Sequence, residues 1–228
     1  MADLLQDQFV SAFSDPDLTH KKSPSFDPPN IVKPLKDEDF IIHDDDILEA
    51  INDIKSDSAA VPDGIPAILL KNCAPELCKP LKLFWSQSHH LVVIPKFYKT
   101  SNVPPQYKKG YRAYTKNYRP ISLTSHVIKI YKRILRKTLV KFVDDNNILC
   151  PHQHGFRSGR SCLTQLLAHF DDIMLGLLDN KDTDSIYLDY EKAFDKVDHA
   201  LLLEKLRLYG LPPKLIDWIA SFLTDCLS

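Results

Sequence analysis

Apolar side chains recur at helical spacing over most of this chain. From Asp44 to Lys55, Ile47, Leu48, Ile51 and Ile54 follow an acidic start, the pattern of an amphipathic helix whose N-terminus favours negative charge. Ile68 to Leu83 repeats the period, with a break predicted near Pro75. The clearest stretch runs from His126 to Phe142. Val127, Ile130, Tyr131, Ile134, Leu135, Thr138 and Phe142 form one face, and Lys129, Lys132, Arg133, Arg136 and Lys137 fill most of the rest. Ser161 to Leu178 carries Leu163, Leu166, Leu167, Phe170, Ile173, Met174 and Leu177, a stripe that reads as core, with Met174 as a packing residue. A helix over 199–209 stops at Gly210, and Pro212-Pro213 opens another that carries Leu215, Ile216, Trp218, Ile219, Phe222 and Leu223.

Elsewhere the period is two or absent. Ser185 to Tyr190 sets Ile186, Leu188 and Tyr190 against Tyr187 and Asp189, which predicts a strand. Leu91–Ile94 and Ile121–Leu123 are shorter strand candidates. Between them, Val103 to Gly110 and Tyr118-Arg-Pro120 predict an extended basic hairpin, with prolines 104, 105 and 120 arguing against a central strand. Val61-Pro-Asp-Gly-Ile-Pro66 is a turn. Residues 1–36 contain Ser-Pro, Asp-Pro-Pro-Asn and Lys-Pro, and read as an irregular lead-in. The whole is an α+β pattern.

Composition narrows the classes. The 228 residues are 44% hydrophobic and 26% charged, which suits a globular chain large enough to bury a core. No apolar run approaches the roughly 20 residues that span a bilayer, and the start lacks the features of a signal peptide. An intracellular protein without a membrane partner is therefore expected. Five scattered cysteines, at 73, 78, 150, 162 and 226, read as reduced thiols. Cys150-Pro-His152-Gln-His154 gathers three soft donors, but zinc takes about four, so loop and core roles fit them better. The net charge of −1 conceals an asymmetry: Leu77 through Val143 contains fifteen Lys and Arg and no Asp or Glu. Such a segment suits a polyanion or a phosphate, or forms a solvated basic face.

Asp189 closes the predicted strand of 185–190, and Ala193-Phe-Asp195 follows. A carboxylate there either caps the next turn or binds a hard divalent ion such as Mg²⁺, with the Tyr190 carbonyl as a second oxygen. Asp198 reads as the N-cap of the following helix, and Asp195 and His199 as turn and cap residues.

Four blocks in order then carry a resemblance. The segment from Ile186 to His199 resembles the first catalytic palm motif of reverse transcriptases from non-LTR (LINE-type) retrotransposons. Asn117-Tyr-Arg-Pro-Ile-Ser-Leu123 resembles their fingers motif, and Gln153-His-Gly-Phe-Arg-Ser-Gly-Arg-Ser-Cys-Leu-Thr-Gln165 the next block. Val61 to Pro66 resembles an upstream block in which a Gly usually stands at the position of Val61. Together the blocks cover roughly residues 40 to 228.

The resemblance implies a truncated right-hand polymerase fold: fingers with helices and a basic β-hairpin, then the first strand and helices of the palm. It divides the chain into a lead-in over 1–40, a helical segment over 41–90, fingers and fingers-palm helices over 91–182, and a partial palm over 183–228. It implies that Asp189, helped by the Tyr190 carbonyl, binds catalytic Mg²⁺, and that Phe194 lies under the incoming sugar and excludes a ribose 2′-hydroxyl. Arg119, with Lys108 or Lys109, would lie against the triphosphate. Arg157 and Arg160 would contact template or primer, as would Lys129 and Arg133 on the basic helix. The implied partners are an RNA template, a DNA primer and deoxynucleoside triphosphates. The family's second carboxylate set sits in a downstream Asp-Asp hairpin. Here the Asp-Asp pairs at 144–145 and 171–172 both precede Asp189, so the expectation is a fragment inactive on its own, with apolar sheet edge and helix surface uncovered. The alternative is a non-catalytic nucleic-acid-binding or interaction protein derived from a retroelement, resting on the basic segment and its interspersed Tyr107, Tyr111, Tyr114 and Tyr118.

Overall fold

A core of ring and branched aliphatic side chains organises the molecule, and the helices are arranged to supply it. The computed structural model describes residues 2–10, 28–56, 61–190 and 192–224. Helices α1 (Ala2–Val10), α2 (Asp44–Asn52), α3 (Ala67–Asn72), α4 (Ala74–Leu91), α5 (His126–Asp145), α6 (Cys162–Leu178), α7 (His199–Leu208) and α8 (Pro213–Leu223) alternate with short ladders. The lead-in is thus not wholly irregular, because α1 forms within it.

Helix α5 is the central element. Val127, Ile128, Ile130, Tyr131, Ile134, Leu135 and Phe142 are buried, and α2 and α4 pack close to it or to one another. Across them a ring cluster forms. Tyr131 lies 4.9 Å from Trp85 and 4.5 Å from Trp218, and Phe40 lies 4.4 Å from His89. The Trp218 indole donates to Ser88 Oγ at 3.1 Å, and that hydroxyl donates to the Val93 carbonyl at 2.7 Å. The middle of α8 is therefore bonded to the last turn of α4. As the sequence predicts, the helix break falls at the Pro75 region: α3 ends at Cys73 and Pro75 sits in the first turn of α4.

Asn146, just past α5, is a tie that periodicity does not reveal. Its Oδ1 accepts from the Val32 and Lys33 amides at 2.9 and 2.7 Å, while Nδ2 donates to the Lys33 and Phe142 carbonyls at 2.9 and 2.8 Å. Three of these bonds hold segment 32–33 against the helix end, and the fourth fixes the Asn146 side chain on α5 itself. Asn146→Asp replaces two donors with charge facing two carbonyls, and should cost about 2–4 kcal/mol, read as a lower urea midpoint with an unchanged slope.

Three predicted features come out differently. Leu91–Ile94 is no strand: α4 continues to Leu91, and Val92 caps it in the left-handed region at φ 55°. Apolar run length alone does not separate a strand from a buried helix end. Ser185–Tyr190 forms no strand and pairs with none among the described residues, and Leu188 is 87% exposed. The α6 stripe is exposed as well, Met174 included at 58%. Segment 183–187 lies along the other flank of α6, where Tyr187 Oη and His169 Nε2 stand 2.9 Å apart.

Two buried imidazoles give the fold a pH dependence. His89 Nδ1 meets the Tyr131 hydroxyl at 3.1 Å, while among the described residues its Nε2 and both ring nitrogens of His126 have no hydrogen-bond partner. Burial lowers both pKa values below the ordinary 6.5. Lys214 and His90 add to this at His89, and Lys129 and Arg133 at His126, while Asp37 and Asp63 respectively oppose it. A base depressed by folding takes its proton more readily in the unfolded chain. Stability is therefore retained above pH 6.5 and falls as pH drops from there toward the folded values. Urea midpoints should decline below pH 6.5, and His126→Gln should flatten that decline.

Candidate nucleotide and nucleic-acid interface

The basic hairpin forms where the sequence places it. Strand β2 (Pro105–Tyr107) pairs antiparallel with β3 (Tyr118–Pro120), setting Gln106 opposite Arg119. At its base, β1 (Ser101–Asn102) pairs with β4 (Leu123–Thr124), so the second ladder starts at the end of the predicted 121–123 run. The tip is held by side chains. Tyr107 Oη donates to the Gly110 carbonyl at 2.6 Å, Tyr118 Oη to the Arg112 carbonyl at 2.9 Å, and Asn117 Nδ2 to the Tyr111 carbonyl at 2.7 Å. Gly110 has φ 95°, and a Cβ there would stand 2.7 Å from Asn117 Nδ2, so the turn requires glycine.

These bonds give the tyrosines their roles. Tyr107 and Tyr118 pack edge-on at 5.7 Å with their hydroxyls committed to the tip. Arg112 lies over Tyr107 at 5.1 Å and Lys116 over Tyr114 at 5.3 Å. Tyr111 and Tyr114 keep exposed ring surface. Lys108, Lys109 and Arg119 project into solvent, and their side chains make no hydrogen bond or ion pair among the described residues.

The 61–66 turn meets this hairpin's exit. Gly64 closes the turn at φ 65°, its amide donating to the Val61 carbonyl at 3.0 Å. Asp63 accepts from the Ile65 amide at 3.0 Å and from the Ser125 hydroxyl, while Ser125 Oγ caps α5 by accepting from the Val127 amide at 3.0 Å. Two blocks sixty residues apart in the chain are thereby joined at the positive end of a helix. Sequence reading missed Asp63; its place before Gly64 in the turn block was the available signal.

Block 153–165 is built on its own helix start. Ser161 and Thr164 form a reciprocal cap, and the buried His154 Nδ1 stands 2.8 Å from Thr164 Oγ1. Arg157 donates to the Cys150 carbonyl at 3.2 Å, whereas Arg160 is exposed. Phe156, in the left-handed region at φ 61°, meets Phe194 edge-on at 5.8 Å. This contact brings the block to the Ala-Phe-Asp turn and was not foreseen. On α5, Arg133 donates to the Ala50 and Asp53 carbonyls at 2.8 and 2.9 Å. That guanidinium caps α2, which gives it a structural duty the sequence reading did not assign. Lys129 is half-buried, and burial followed by the nearby Arg133 lowers its pKa, with Asp63 acting the other way.

Asp189 stands on the exposed segment, and no hydrogen bond or ion pair joins it to Lys108, Lys109 or Arg119 among the described residues. Asp198 caps α7 as predicted, accepting from the Ala200 and Leu201 amides at 2.8 and 3.1 Å. The Asp189 carboxylate and Tyr190 carbonyl are hard oxygen donors, the chemistry a magnesium ion prefers. Among the described residues, no three His, Cys, Asp or Glu side chains converge into a fuller ligand set. Nor is any helix long and apolar enough to cross a membrane.

The exposed cationic hairpin, the loop bearing Arg157 and Arg160, and Asp189 follow one another within a single stretch of the chain. Residues 106–228 match the sequence model of the reverse transcriptase (RNA-dependent DNA polymerase) family, and the chain belongs to that family. It is 26% identical over 195 residues to the probable RNA-directed DNA polymerase from transposon BS of Drosophila melanogaster, covering 85% of this chain and 21% of the relative. It is 31% identical to the probable RNA-directed DNA polymerase from transposon X-element over 107 residues, 47% of this chain and 12% of the relative. Over 134 residues it is 31% identical to the RNA-directed DNA polymerase from mobile element jockey, 58% of this chain and 14% of the relative. Both come from the same fly. The chain therefore spans about a fifth or less of the length of these retrotransposon relatives. Its mixture of helices and small ladders is compatible with a polymerase fold.

Proposed function

We infer that this chain supplies the fingers and the opening of the palm to RNA-directed DNA synthesis, with residues 91–182 as fingers and 183–228 as partial palm. The observation that carries this reading is the occurrence, within the family-matched span, of both an acid-free exposed hairpin and an exposed Asp189 carboxylate that engages no partner among the described residues. Lys108, Lys109 and Arg119 hold the triphosphate, where guanidinium and ammonium groups offset charge on phosphate oxygens. Phe194, steadied by Phe156, faces the sugar and discriminates against a 2′-hydroxyl. Arg157 and Arg160 follow the template-primer backbone. Asp189 and the Tyr190 carbonyl would hold a Mg²⁺ ion, which would supply Lewis-acid stabilisation of charge on the reacting oxygens. No Asp-Asp pair follows Asp189 in these residues, so the 228-residue chain binds template-primer without extending it.

The test is a primer-extension and filter-binding pair on an RNA template annealed to a DNA primer, with Mg²⁺ and deoxynucleotides. Salt-sensitive binding with no extension is expected. Absence of binding at low salt overturns the reading. Extension that disappears in Asp189→Asn would keep the polymerase assignment and overturn the incompleteness of the chain.

A further inference from the structure

The cationic ribbon leaves the body of the protein at two roots, and one carboxylate lies close to both. Its entry follows the short 3₁₀ turn Lys96–Lys99, where Tyr98 meets Phe84 edge-on at 5.6 Å and lies 5.7 Å from Trp85. Its exit is Ser125, 1% exposed and one residue past the base ladder of β1 and β4. Asp63 accepts a hydrogen bond from the Ser125 hydroxyl. At the other root, burial and after it the Asp63 charge raise the Tyr98 phenol above its ordinary pKa.

Between those roots the ladder is thin. β1 and β4 contribute two residues each, Ser101 opposite Thr124 and Asn102 opposite Leu123. Helix α1 approaches the ribbon farther out, at residues 115–117. So short a ladder sets no direction by itself, and the direction of the ribbon is set where the chain re-enters the core.

Asp63 is held in a way that suits this task. The turn that carries it is anchored by Val61 and Ala67, both buried. One carboxylate oxygen accepts from the Ile65 amide at 3.0 Å, and the other from Ser125 Oγ. A serine hydroxyl has one proton and two acceptor sites. With the proton given to Asp63, an acceptor site faces the Val127 amide, which donates to it at 3.0 Å. The carboxylate thereby orients the hydroxyl on which α5 starts.

We propose that Asp63 is a positioning residue: it fixes the root of the ribbon and so the direction in which Lys108, Lys109 and Arg119 face nucleic-acid phosphates. The consequence for binding rests on the nucleic-acid reading above, whereas the tie itself does not. A negative charge at this place has the opposite effect on its own. It repels a polyanion and draws on the nearby Lys129, whose pKa it supports against burial and Arg133. Loss of the charge alone therefore strengthens binding, and loss of the tie weakens it.

Filter binding of an RNA·DNA template-primer to the 228-residue chain, over a range of salt, compares two substitutions that remove the same charge. Asparagine preserves the tie: its oxygen accepts from the Ile65 amide while its amide donates to Ser125 Oγ. Alanine preserves nothing. Asp63→Ala should weaken binding about 10-fold and flatten the salt slope although no cation is lost. Asp63→Asn should stay within about 3-fold of the wild type or bind more tightly. Ser125→Ala should weaken binding as Asp63→Ala does, and the two together no further. Amide hydrogen exchange without nucleic acid is the second readout. Ser101, Asn102, Leu123 and Thr124 should exchange faster in Asp63→Ala, with α8 unchanged. Equal binding by Asp63→Ala and Asp63→Asn overturns the proposal. So do additive losses in the double variant, or exchange that quickens in α8 as well. If the wild-type chain binds no template-primer, the nucleic-acid reading falls and exchange decides alone: a faster base ladder in Asp63→Ala supports the tie, and an unaltered one overturns it.

Discussion

Trp218→Ala is expected to lower stability by about 3–5 kcal/mol, the range for deleting a fully buried large ring. Three losses combine. Trp218 is 1% exposed, so its removal opens a cavity rather than uncovering surface. Its ring contacts Tyr131 at 4.5 Å and stacks on Phe222 at 5.9 Å with 3° between planes, and both rings lose a neighbour. Its indole also donates to Ser88, whose hydroxyl holds the Val93 carbonyl. In a domain of this length each kcal/mol moves the melting temperature by about 2–4 °C. A fall of about 6–20 °C in calorimetry is therefore the expected reading. Trp218→Phe keeps most of the volume and loses the hydrogen bond, so it should recover well over half of the loss. A melting temperature unchanged in Trp218→Ala would mean that α8 does not close the core.

The second large effect is electrostatic. Converting Lys108, Lys109 and Arg119 together to Glu should weaken binding of an RNA·DNA template-primer about 100-fold or more at roughly 0.1 M salt. Each cation lost should also lower the magnitude of the salt slope by about one. The fold should be unaffected, because these side chains are exposed and engage no partner among the described residues. Arg133→Gln offers the opposite combination. Its guanidinium serves the α2 carbonyls, so that substitution should cost stability while leaving binding nearly intact. Binding lost equally in both would refute the assignment of the phosphate-contacting surface to the hairpin.

Local chemistry proved readable from the chain. Asp198 caps its helix because its short carboxylate reaches free amides. Gly64 and Gly110 mark turns because only glycine enters their backbone regions easily, and the stripe of α5 is buried in the core it shares with α2 and α4. What could not be read was which apolar surface would find a partner. The stripe of α6 matches that of α5 in period and exceeds it in apolar content, yet one is core and the other is bare. Periodicity fixes a helix and its face; the neighbours of that face depend on tertiary contacts. Asp189 illustrates the same point at the site. Its residue type and block were legible, while the separation of its segment from any paired strand was not. Asn146, Asp63 and the guanidinium of Arg133 escaped notice for another reason. Asn146 and Arg133 bond backbone distant in the chain, and Asp63 bonds the Ser125 hydroxyl, none of which leaves a periodic trace.

Prolines 104, 105 and 120 leave three positions of the finger ribbon without an amide hydrogen, and Pro105 sits directly across from Pro120. An incoming chain cannot zip onto such a margin, so the arm can reach toward a polyanion without recruiting copies of itself. The stretch from Ile186 to Tyr190 has no comparable safeguard: it is proline-free, rich in β-formers and unladdered. At high concentration, fibril seeding should begin there rather than at the arm.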